Sequence, residues 1–298
     1  MLPAKQKPDA GTWARRHTLC ARKGRSAGTW ARRPGAGHPF VFVLLLLILA
    51  WPAPAQARQS DPTALAEPAA GVKIMPLGDS ITSGTTAWAS YRYWLYKDLV
   101  ARHWTVNFVG SIHGQLHTGD APPACCQDFD WDHEGHSGYR VDNIIPLLPS
   151  WLALNRPDIV LLHLGTNDIL QGRSVDSTAA GLGQVIDLLR AANPRVKILL
   201  AQIIPAKWNG KVYTDIPVLN ALLPDLVAIK TQKDSPVLLI DQYTGFDLAA
   251  DCVDGVHPNP AGEQKLALHW RIGIEMVLRQ NLSALTPRAY LPLISSGK

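Results

Sequence analysis

The fold class follows from the apolar run Val72-Lys-Ile-Met-Pro-Leu77, which leads directly into Gly78-Asp79-Ser80. A short apolar run that ends at a glycine is typical of a strand buried inside a sheet. Comparable runs recur along the chain, and helix-length segments separate them. The predicted strands span 72–77, 106–110, 159–164, 197–203 and 237–240. Strands that alternate with helices predict a parallel sheet with helices on both faces.

Helices are predicted in the segments that separate these strands. They span 91–102, 176–192, 215–230 and 260–280, and Asn193-Pro194 marks the end of the second. The stretch 111–137 is predicted to be a long irregular insertion, and such insertions in compact domains are usually functional. Because no Gly/Ser linker or change of composition divides this part of the chain, we expect one domain over 71–281. A flexible lead-in at 58–70 and a tail at 282–298 would flank it.

The composition supports a folded domain with a sizeable core. The chain has 298 residues, of which 47% are hydrophobic and 18% are charged. Disordered chains combine low hydrophobicity with high charge, and collagen needs a glycine at every third position. A wholly disordered or collagen-like protein is therefore excluded.

The net charge of +5 is concentrated at the start of the chain. Residues 1–57 carry nine Lys or Arg against one acid, so residues 58–298, with 20 basic and 23 acidic residues, have a net charge of −3. A nucleic-acid partner is therefore not expected. The basic segment runs into a 13-residue apolar stretch at 39–51 and then Ala55-Gln-Ala57, which is the order of a secretory signal peptide.

We therefore expect residues 1–57 to be a signal peptide and the protein to be secreted. A helix over the apolar stretch would be about 20 Å long, shorter than a hydrocarbon core of about 30 Å. Two alternatives remain open, an uncleaved leader that anchors the chain to a membrane and a translation start after Met1.

Secretion would leave three cysteines in an oxidising compartment once Cys20 departs with the leader. We expect a disulfide between Cys252 and either Cys125 or Cys126. Three reduced thiols are the alternative.

Four polar blocks follow predicted strands or lie in the loops between elements. They are Gly78–Thr82, Glu134–Arg140, Gly165–Asp168 and Asp254–Asn259. Ligands of parallel sheets bind beyond the carboxyl ends of the strands. The blocks supply a nucleophile, hydrogen-bond donors, a base and an acid, as covalent acyl transfer requires. Each block alone is a weak signal, since a serine after a strand is commonly a helix cap.

In this order the blocks resemble those of the SGNH superfamily of serine esterases, also called GDSL hydrolases, over residues 72–280. Ile81 stands where the family name has Leu. The resemblance implies a flavodoxin-like, three-layer α/β/α fold with a central parallel sheet of about five strands. It also implies a catalytic role for each block. The implied nucleophile is Ser80, the base is His257, the orienting acid is Asp254, and the oxyanion donors are the backbone N–H groups of Ser80 and Gly138 and the amide of Asn167.

The chemistry of these side chains agrees with the implied roles. A histidine with a pKa near 6.5 is largely neutral at pH 7 and can accept the serine proton. Asp254 precedes His257 by three residues, so one turn can bring its carboxylate to the ring. An asparagine amide stabilises an oxyanion without titrating. No cofactor is required.

Three other patterns imitate functional motifs without their usual context. The Gly-x-Ser-x-Gly match at 24–28 lies in the basic leader with no strand before it. Ser83 and Ser137 are predicted to be turn residues. The series Asp128-x-Asp130-x-Asp132 begins like a calcium loop but lacks the later Gly and Glu of such a loop. His113 and His117 have the spacing of a helical metal-binding pair, but Gly114 lies between them and favours a loop. No metal site is therefore expected.

The block Glu134–Arg140 resembles those of secreted carbohydrate esterases, in particular the acetyl xylan esterase group. We therefore expect an acetylated polysaccharide as substrate and a monomeric enzyme. Substrate contacts are predicted for Asp79, Trp88, Trp131, Arg140 and Trp208, with packing inside the fold as the alternative for each tryptophan. A lipolytic or thioester-cleaving enzyme and a non-catalytic carbohydrate-binding protein remain the other candidate functions.

Overall fold

The computed structural model describes residues 71–279 except 85–89, 115–125 and 127. The predicted signal peptide, lead-in and tail lie outside these residues, as do Trp88 and Cys125. Within the described part of the chain, no helix combines the length and the hydropathy that a membrane span requires.

The described residues form a seven-stranded sheet and a separate two-stranded hairpin. In chain order, the strands are β1 (Val72–Gly78), β2 (Val106–Phe108), β3 (Ile112–His113), β4 (Asp132–Gly135), β5 (Ile159–His163), β6 (Lys197–Gln202), β7 (Lys207–Trp208), β8 (Lys211–Val212) and β9 (Val237–Asp241). β1 pairs with β2 and β4 on one side and with β5 on the other, and β6 and β9 follow β5. In this sheet only β3 is antiparallel to its partner, β4.

Helices cover both faces of the sheet. In chain order, they are α1 (Ser80–Ser83), α2 (Tyr91–Ala101), α3 (Val141–Ile144), α4 (Leu148–Leu154), α5 (Thr166–Leu170), α6 (Val175–Ala192), α7 (Asp215–Lys230), α8 (Leu248–Asp251) and α9 (Pro260–Leu278). α2 and α9 bury Leu95 and Trp270 against one face, and α4, α6 and α7 bury Leu148, Leu182 and Leu219 against the other. This arrangement confirms the predicted three-layer α/β/α fold.

Side-chain caps mark the residues where α2, α6 and α9 begin. Ser90 accepts from the backbone N–H of Arg92 before α2, and Ser174 accepts from that of Ser177 at the start of α6. Asn259 caps α9, in which proline occupies the first position. Each cap satisfies a backbone donor that has no partner within the helix and stabilises it by about 1 kcal/mol. These helices lie within two residues of their predicted bounds.

The insertion at 111–137 differs from its prediction, because it contains β3 and β4. The side chains of His133 and Glu134 in β4 are completely buried. The His133 ring bonds to the carbonyl of Gly114 and the backbone N–H of Gly135, while Glu134 accepts from Ser111. The buried side chains of this strand are polar and hydrogen-bonded instead of apolar. A search of the sequence for apolar runs therefore does not find the strand. The sheet has seven strands instead of about five.

The predicted disulfide from Cys252 is wrong, because Cys252 carries a free thiol. Cys252 packs at the edge of the core layer that contains α9, whereas Cys126 packs against Phe129 and Trp131 in a separate cluster. Burial raises the pKa of the Cys252 thiol to about 12, and the carboxylate of Asp254 adds to this effect. The thiol is therefore protonated at neutral pH and is a poor nucleophile.

Candidate active site

Three of the four polar blocks meet where β1 ends. Gly78, the last residue of β1, lies in register with Gly135 of β4 and His163 of β5. The backbone N–H of His136 donates to the carbonyl of Gly78 at 2.9 Å. Because all three strands run in the same direction, the blocks that follow them emerge together at the carboxyl edge of the sheet.

The fourth block completes a chain of hydrogen bonds with the first. Ser80 is the first residue of α1, and its Oγ lies 2.9 Å from Nε2 of His257. On the other side of the ring, Nδ1 of His257 lies 2.7 Å from Oδ2 of Asp254. The structure therefore brings together the three side chains that the sequence analysis assigned as nucleophile, base and orienting acid.

A tight turn holds Asp254 and His257 in this arrangement. Oδ1 of Asp254 accepts from the backbone N–H groups of Val256 at 2.9 Å and His257 at 2.8 Å. Gly255 has a φ of +88°, and a Cβ there would lie 2.3 Å from the carbonyl oxygen of Lys207. Only glycine fits this position, since any side chain would meet both backbone strain and a steric clash.

The electrostatics of the turn keep Asp254 ionised. Partial burial pushes the pKa of Asp254 upward, but hydrogen bonds from the backbone and ring of His257 and from Val256 outweigh burial and lower the pKa below its ordinary value. A carboxylate at this place favours the ring tautomer with the proton on Nδ1. Nε2 then faces Ser80 as a proton acceptor.

The predicted oxyanion donors lie on connected segments. Nδ2 of Asn167 donates to the carbonyl of Tyr139 at 3.1 Å, and Gln171 donates to the carbonyl of Gly138 at 3.2 Å. Gly138 has a φ of +79°, and a Cβ there would meet no atom within 4 Å. Space is therefore open beside the Gly138 backbone, and the Asn167 amide carries a second N–H besides the one given to Tyr139.

An open cavity of about 490 Å³ adjoins Gly138, one of the predicted oxyanion donors. Its lining residues are Ser137, Gly138, Tyr139, Asp142, Asn143, Pro146 and Leu147. The lining combines polar side chains with an aromatic ring and aliphatic groups. A cavity of this kind can accept a ligand that has both hydroxyl groups and apolar faces.

Two of the predicted substrate contacts are wrong. The side chain of Trp131 is buried against Phe129 and only 4% of the residue is exposed, so its ring packs inside the fold. Asp79 is completely buried, and its Oδ1 caps α1 by accepting from the backbone N–H of Ile81 at 2.9 Å. Neither side chain is exposed at the surface, where a substrate could contact it.

The other two described candidates stay predictions. Trp208 is 44% exposed in the β7–β8 hairpin, and its neighbour Lys207 donates to the carbonyl of Gly255 in the turn between Asp254 and His257. The guanidinium of Arg140 contacts the carboxylate of Asp142 and the side chain of Gln171.

Arg92 is a structural residue of the site that no sequence motif indicates. Its completely buried guanidinium donates to the carbonyls of Thr82 and Ser83 at the end of α1, and to those of Gly114 and Trp131. Burial lowers the pKa of Arg92 to about 10, so the side chain stays charged at neutral pH. Its charge lies at the carboxyl end of the helix that carries Ser80, where a cation is favourable.

Asp79→Asn is expected to stabilise the protein in alkaline solution. Burial raises the pKa of Asp79 to about 7, with His257 opposing and Asp168 adding to the shift. The folded chain therefore binds more protons than the unfolded chain between about pH 4 and 7, and wild-type stability falls as pH rises through this range. Asparagine preserves the helix cap without the buried charge.

The expected gain in the free energy of unfolding is about 1–3 kcal/mol at pH 8 and close to zero at pH 4. Denaturant unfolding at the two pH values measures it. Asp225→Asn, at an exposed position of α7, is the matched control and should change stability by less than about 0.5 kcal/mol. An equal gain at both pH values, or a loss at pH 8, would contradict the assignment of a buried charge to Asp79.

The aspartates of the calcium-like series have separate partners. Asp128 pairs with Lys97, Asp130 accepts from the backbone of Phe108, and Asp132 lies 2.6 Å from the ring of His113. Among the described residues, no group of three or more His, Cys, Asp or Glu side chains is placed to hold a metal ion.

The fold and the site together define a class, the proteins that carry a hydrogen-bonded Ser–His–Asp series at the carboxyl edge of a three-layer α/β/α sandwich. Within this class, the chain belongs to the GDSL-like lipase/acylhydrolase family, whose model matches residues 77–265. The matched range begins in β1, ends in α9 and includes all four polar blocks. The match confirms the resemblance that the blocks indicate.

Known proteins similar to this chain include esterases. A multidomain esterase of Ruminococcus flavefaciens is 30% identical over 233 residues, which are 72% of this chain and 30% of that protein. The chain thus spans less than a third of that relative. A family 3 carbohydrate esterase from Talaromyces cellulolyticus is 34% identical with a TM-score of 0.61, over 70% of this chain and 98% of that one. An acetyl esterase variant crystallised with an acetate ion is 34% identical with a TM-score of 0.60, over the same two shares.

Proposed function

We propose that this protein is a secreted esterase that removes acetyl groups from carbohydrate through a covalent acyl-enzyme. The observation that carries the proposal is the hydrogen-bonded series from Ser80 through His257 to Asp254, with distances of 2.9 Å and 2.7 Å. A serine hydroxyl is a weak nucleophile until a neighbouring base removes its proton. His257 lies within reach of that proton and is itself oriented by a carboxylate.

In the proposed reaction, Oγ of Ser80 attacks the ester carbonyl while Nε2 of His257 takes the hydroxyl proton. The negative oxygen of the tetrahedral intermediate binds to the N–H groups of Ser80 and Gly138 and to the amide of Asn167. His257 returns the proton to the leaving sugar hydroxyl, which leaves an acetyl group on Ser80. Water, activated by the same imidazole, then releases acetate and restores the serine.

A carbohydrate ester is favoured as substrate by the cavity beside Gly138 and by the similar esterases of known structure. Asp142, Asn143 and Tyr139 are among the residues that line the cavity. Sugars combine hydroxyl groups with apolar ring faces, so such a lining suits them. Trp208 is 44% exposed, and its hairpin contacts the turn between Asp254 and His257. We propose its ring as a second surface on which a sugar ring can stack. Secretion is proposed from the order of segments in residues 1–57.

A chain-length series of 4-nitrophenyl esters tests the acyl specificity. The proposal predicts that kcat/KM is highest for acetate and falls steadily towards dodecanoate. Acetate release from acetylated xylan and other acetylated glycans then tests the carbohydrate. Faster hydrolysis of dodecanoate than of acetate would favour a lipolytic enzyme, and binding to xylan without turnover of any ester would favour a non-catalytic protein.

Asn167→Ala is expected to lower kcat by about 10²- to 10³-fold, which corresponds to about 2.7–4 kcal/mol of transition-state stabilisation. The variant loses one donor to the oxyanion, and KM should change little because the charge develops after binding. Steady-state kinetics with 4-nitrophenyl acetate measures both constants. Asn193→Ala, at the far end of α6, is the control and should leave kcat within about twofold. A loss that appears only in KM would contradict the role of Asn167.

A further inference from the structure

A buried, hydrogen-bonded pair of side chains, Glu134 and His136, lies next to the predicted oxyanion donor Gly138 and has no part in the proposed proton transfer. Oε1 of Glu134 lies 2.6 Å from Nε2 of His136, and neither side chain is more than about a tenth exposed. Ser111 donates to the same carboxylate through its backbone N–H at 2.8 Å and its hydroxyl at 2.7 Å. Glu134 thus accepts three hydrogen bonds, which is a favourable environment for a carboxylate.

The ring of His136 is fixed by stacking as well as by this bond. Its centroid lies 4.2 Å from the ring of Trp151, with an angle of 12° between the planes. The Tyr139 ring lies 5.0 Å from it, at 21°. An imidazole with one edge bonded and two aromatic neighbours has little freedom to rotate.

The backbone of His136 connects the pair to the site. Its N–H donates to the carbonyl of Gly78, two residues before Ser80, and its carbonyl accepts from the N–H of Tyr139 at 3.1 Å. The second bond closes a four-residue turn in which Gly138 holds the third position, and the φ of +79° there fits a type II turn. The first and last residues of the turn, His136 and Tyr139, therefore both belong to the ring stack.

We propose that Glu134 and His136 are positioning residues that hold the 136–139 turn so that the N–H of Gly138 points at the oxyanion. Glu134 orients the His136 ring, the ring stacks on Tyr139 and Trp151, and the turn between His136 and Tyr139 presents Gly138. The inference rests on the proposed esterase function, since it assigns the pair to the oxyanion hole of that reaction. Donors that are fixed before the reaction stabilise developing charge without a cost of reorganisation.

Glu134→Gln tests the inference with little change of shape. The amide carries no charge and has one acceptor oxygen instead of two, so its NH2 group must face either the backbone N–H of Ser111 or the ring of His136, and one of these bonds is lost or its donor reversed. We expect kcat for 4-nitrophenyl acetate to fall at least tenfold while KM stays within about twofold. The inhibition constant of phenylboronic acid, which forms a tetrahedral adduct with an active serine, should rise by a similar factor.

Hydrogen–deuterium exchange gives a readout that does not depend on catalysis. Peptides that contain residues 136–140 should exchange faster in Glu134→Gln than in the wild type. Ser235→Ala is the matched control, because it removes a buried hydroxyl that bonds to Val196 and Arg190 near the amino end of β9. It should lower the unfolding temperature without changing kcat or exchange at 136–140.

An unchanged kcat in Glu134→Gln, or a loss of activity that appears only in KM, would overturn the inference. So would unchanged exchange at 136–140. If the wild-type protein hydrolyses no ester but residues 136–140 still exchange faster in Glu134→Gln than in the wild type, the proposed function is wrong. The role of Glu134 in holding the turn is then still supported. If Glu134→Gln does not fold, His136→Gln is the second variant. Its amide still donates to Glu134, but it lacks the stacked ring, so we expect the same fall in kcat, the same nearly unchanged KM and the same faster exchange at 136–140.

Discussion

Ser80→Ala is expected to lower kcat for 4-nitrophenyl acetate by about 10⁴- to 10⁶-fold. The variant loses Oγ, the only protein atom that forms a covalent bond to the substrate in the proposed mechanism. The fold should not change, because the α1 cap is formed by Asp79 and the Ser80 hydroxyl bonds to His257. Steady-state kinetics of purified protein, together with the unfolding temperature, measures both expectations.

Ser150→Ala is the matched control for this variant. Ser150 is exposed on α4, and its hydroxyl donates to the carbonyl of Leu147. Its removal should leave kcat within about twofold. Turnover by Ser80→Ala within tenfold of the wild type would show that another group attacks the ester, and the mechanism would then be abandoned.

His257→Ala is expected to lower kcat by a similar factor, about 10⁴- to 10⁶-fold. Without the imidazole, the Ser80 hydroxyl loses the base that it bonds to, and the leaving group loses the acid that returns the proton. Members of such a catalytic unit act together, so the double variant Ser80→Ala/His257→Ala should be little slower than either single one. A series of kinetic measurements on the three variants tests this non-additivity.

His113→Ala controls for the loss of an imidazole elsewhere. The His113 side chain is 77% exposed and pairs with Asp132 at the end of the β3–β4 pair. Its removal should leave kcat within about twofold. If the effects of Ser80→Ala and His257→Ala instead multiplied in the double variant, the two residues would act independently, contrary to the hydrogen bond between them.

The sequence predicts the fold and the reacting groups because both leave local signals. Buried strands read as apolar runs, and the helix bounds follow from caps such as Ser174 and Asn259. Ser80, His257 and Asp254 lie in short blocks whose order along the chain is informative. Their meeting in space follows from the parallel sheet, which gathers the ends of its strands at one edge.

The supporting groups of the site leave no such signal. Arg92 is buried because four backbone carbonyls from three parts of the chain surround its guanidinium, and a sequence does not reveal which carbonyls will converge. An apolar pattern does not reveal β4, because the buried polar side chains of His133 and Glu134 find their hydrogen-bond partners elsewhere, at Gly114 and Ser111. Glu134 and His136 carry a weak signal, since residues two apart in extended chain share a face, but His136 lies one residue beyond β4 and the strand must be recognised first.

The same limitation explains the errors for Trp131 and Asp79. Both lie beside the reacting residues in sequence or in the loops that lead to them, and each points into the protein. Sequence proximity to a site does not distinguish a side chain that faces the substrate from one that supports the site from behind. Only the buried surroundings, Phe129 for the ring and the Ile81 N–H for the carboxyl, make this distinction.

Covalent labelling with diethyl 4-nitrophenyl phosphate tests most directly whether Ser80 is the activated nucleophile. Attack by Oγ of Ser80 on phosphorus would release one 4-nitrophenolate and leave one diethylphosphoryl group on the chain. We expect mass spectrometry to find that group on the peptide that contains Ser80, and to find none in His257→Ala under the same conditions. A label on a different residue, or an unlabelled Ser80 in protein that hydrolyses acetate esters, would contradict the account.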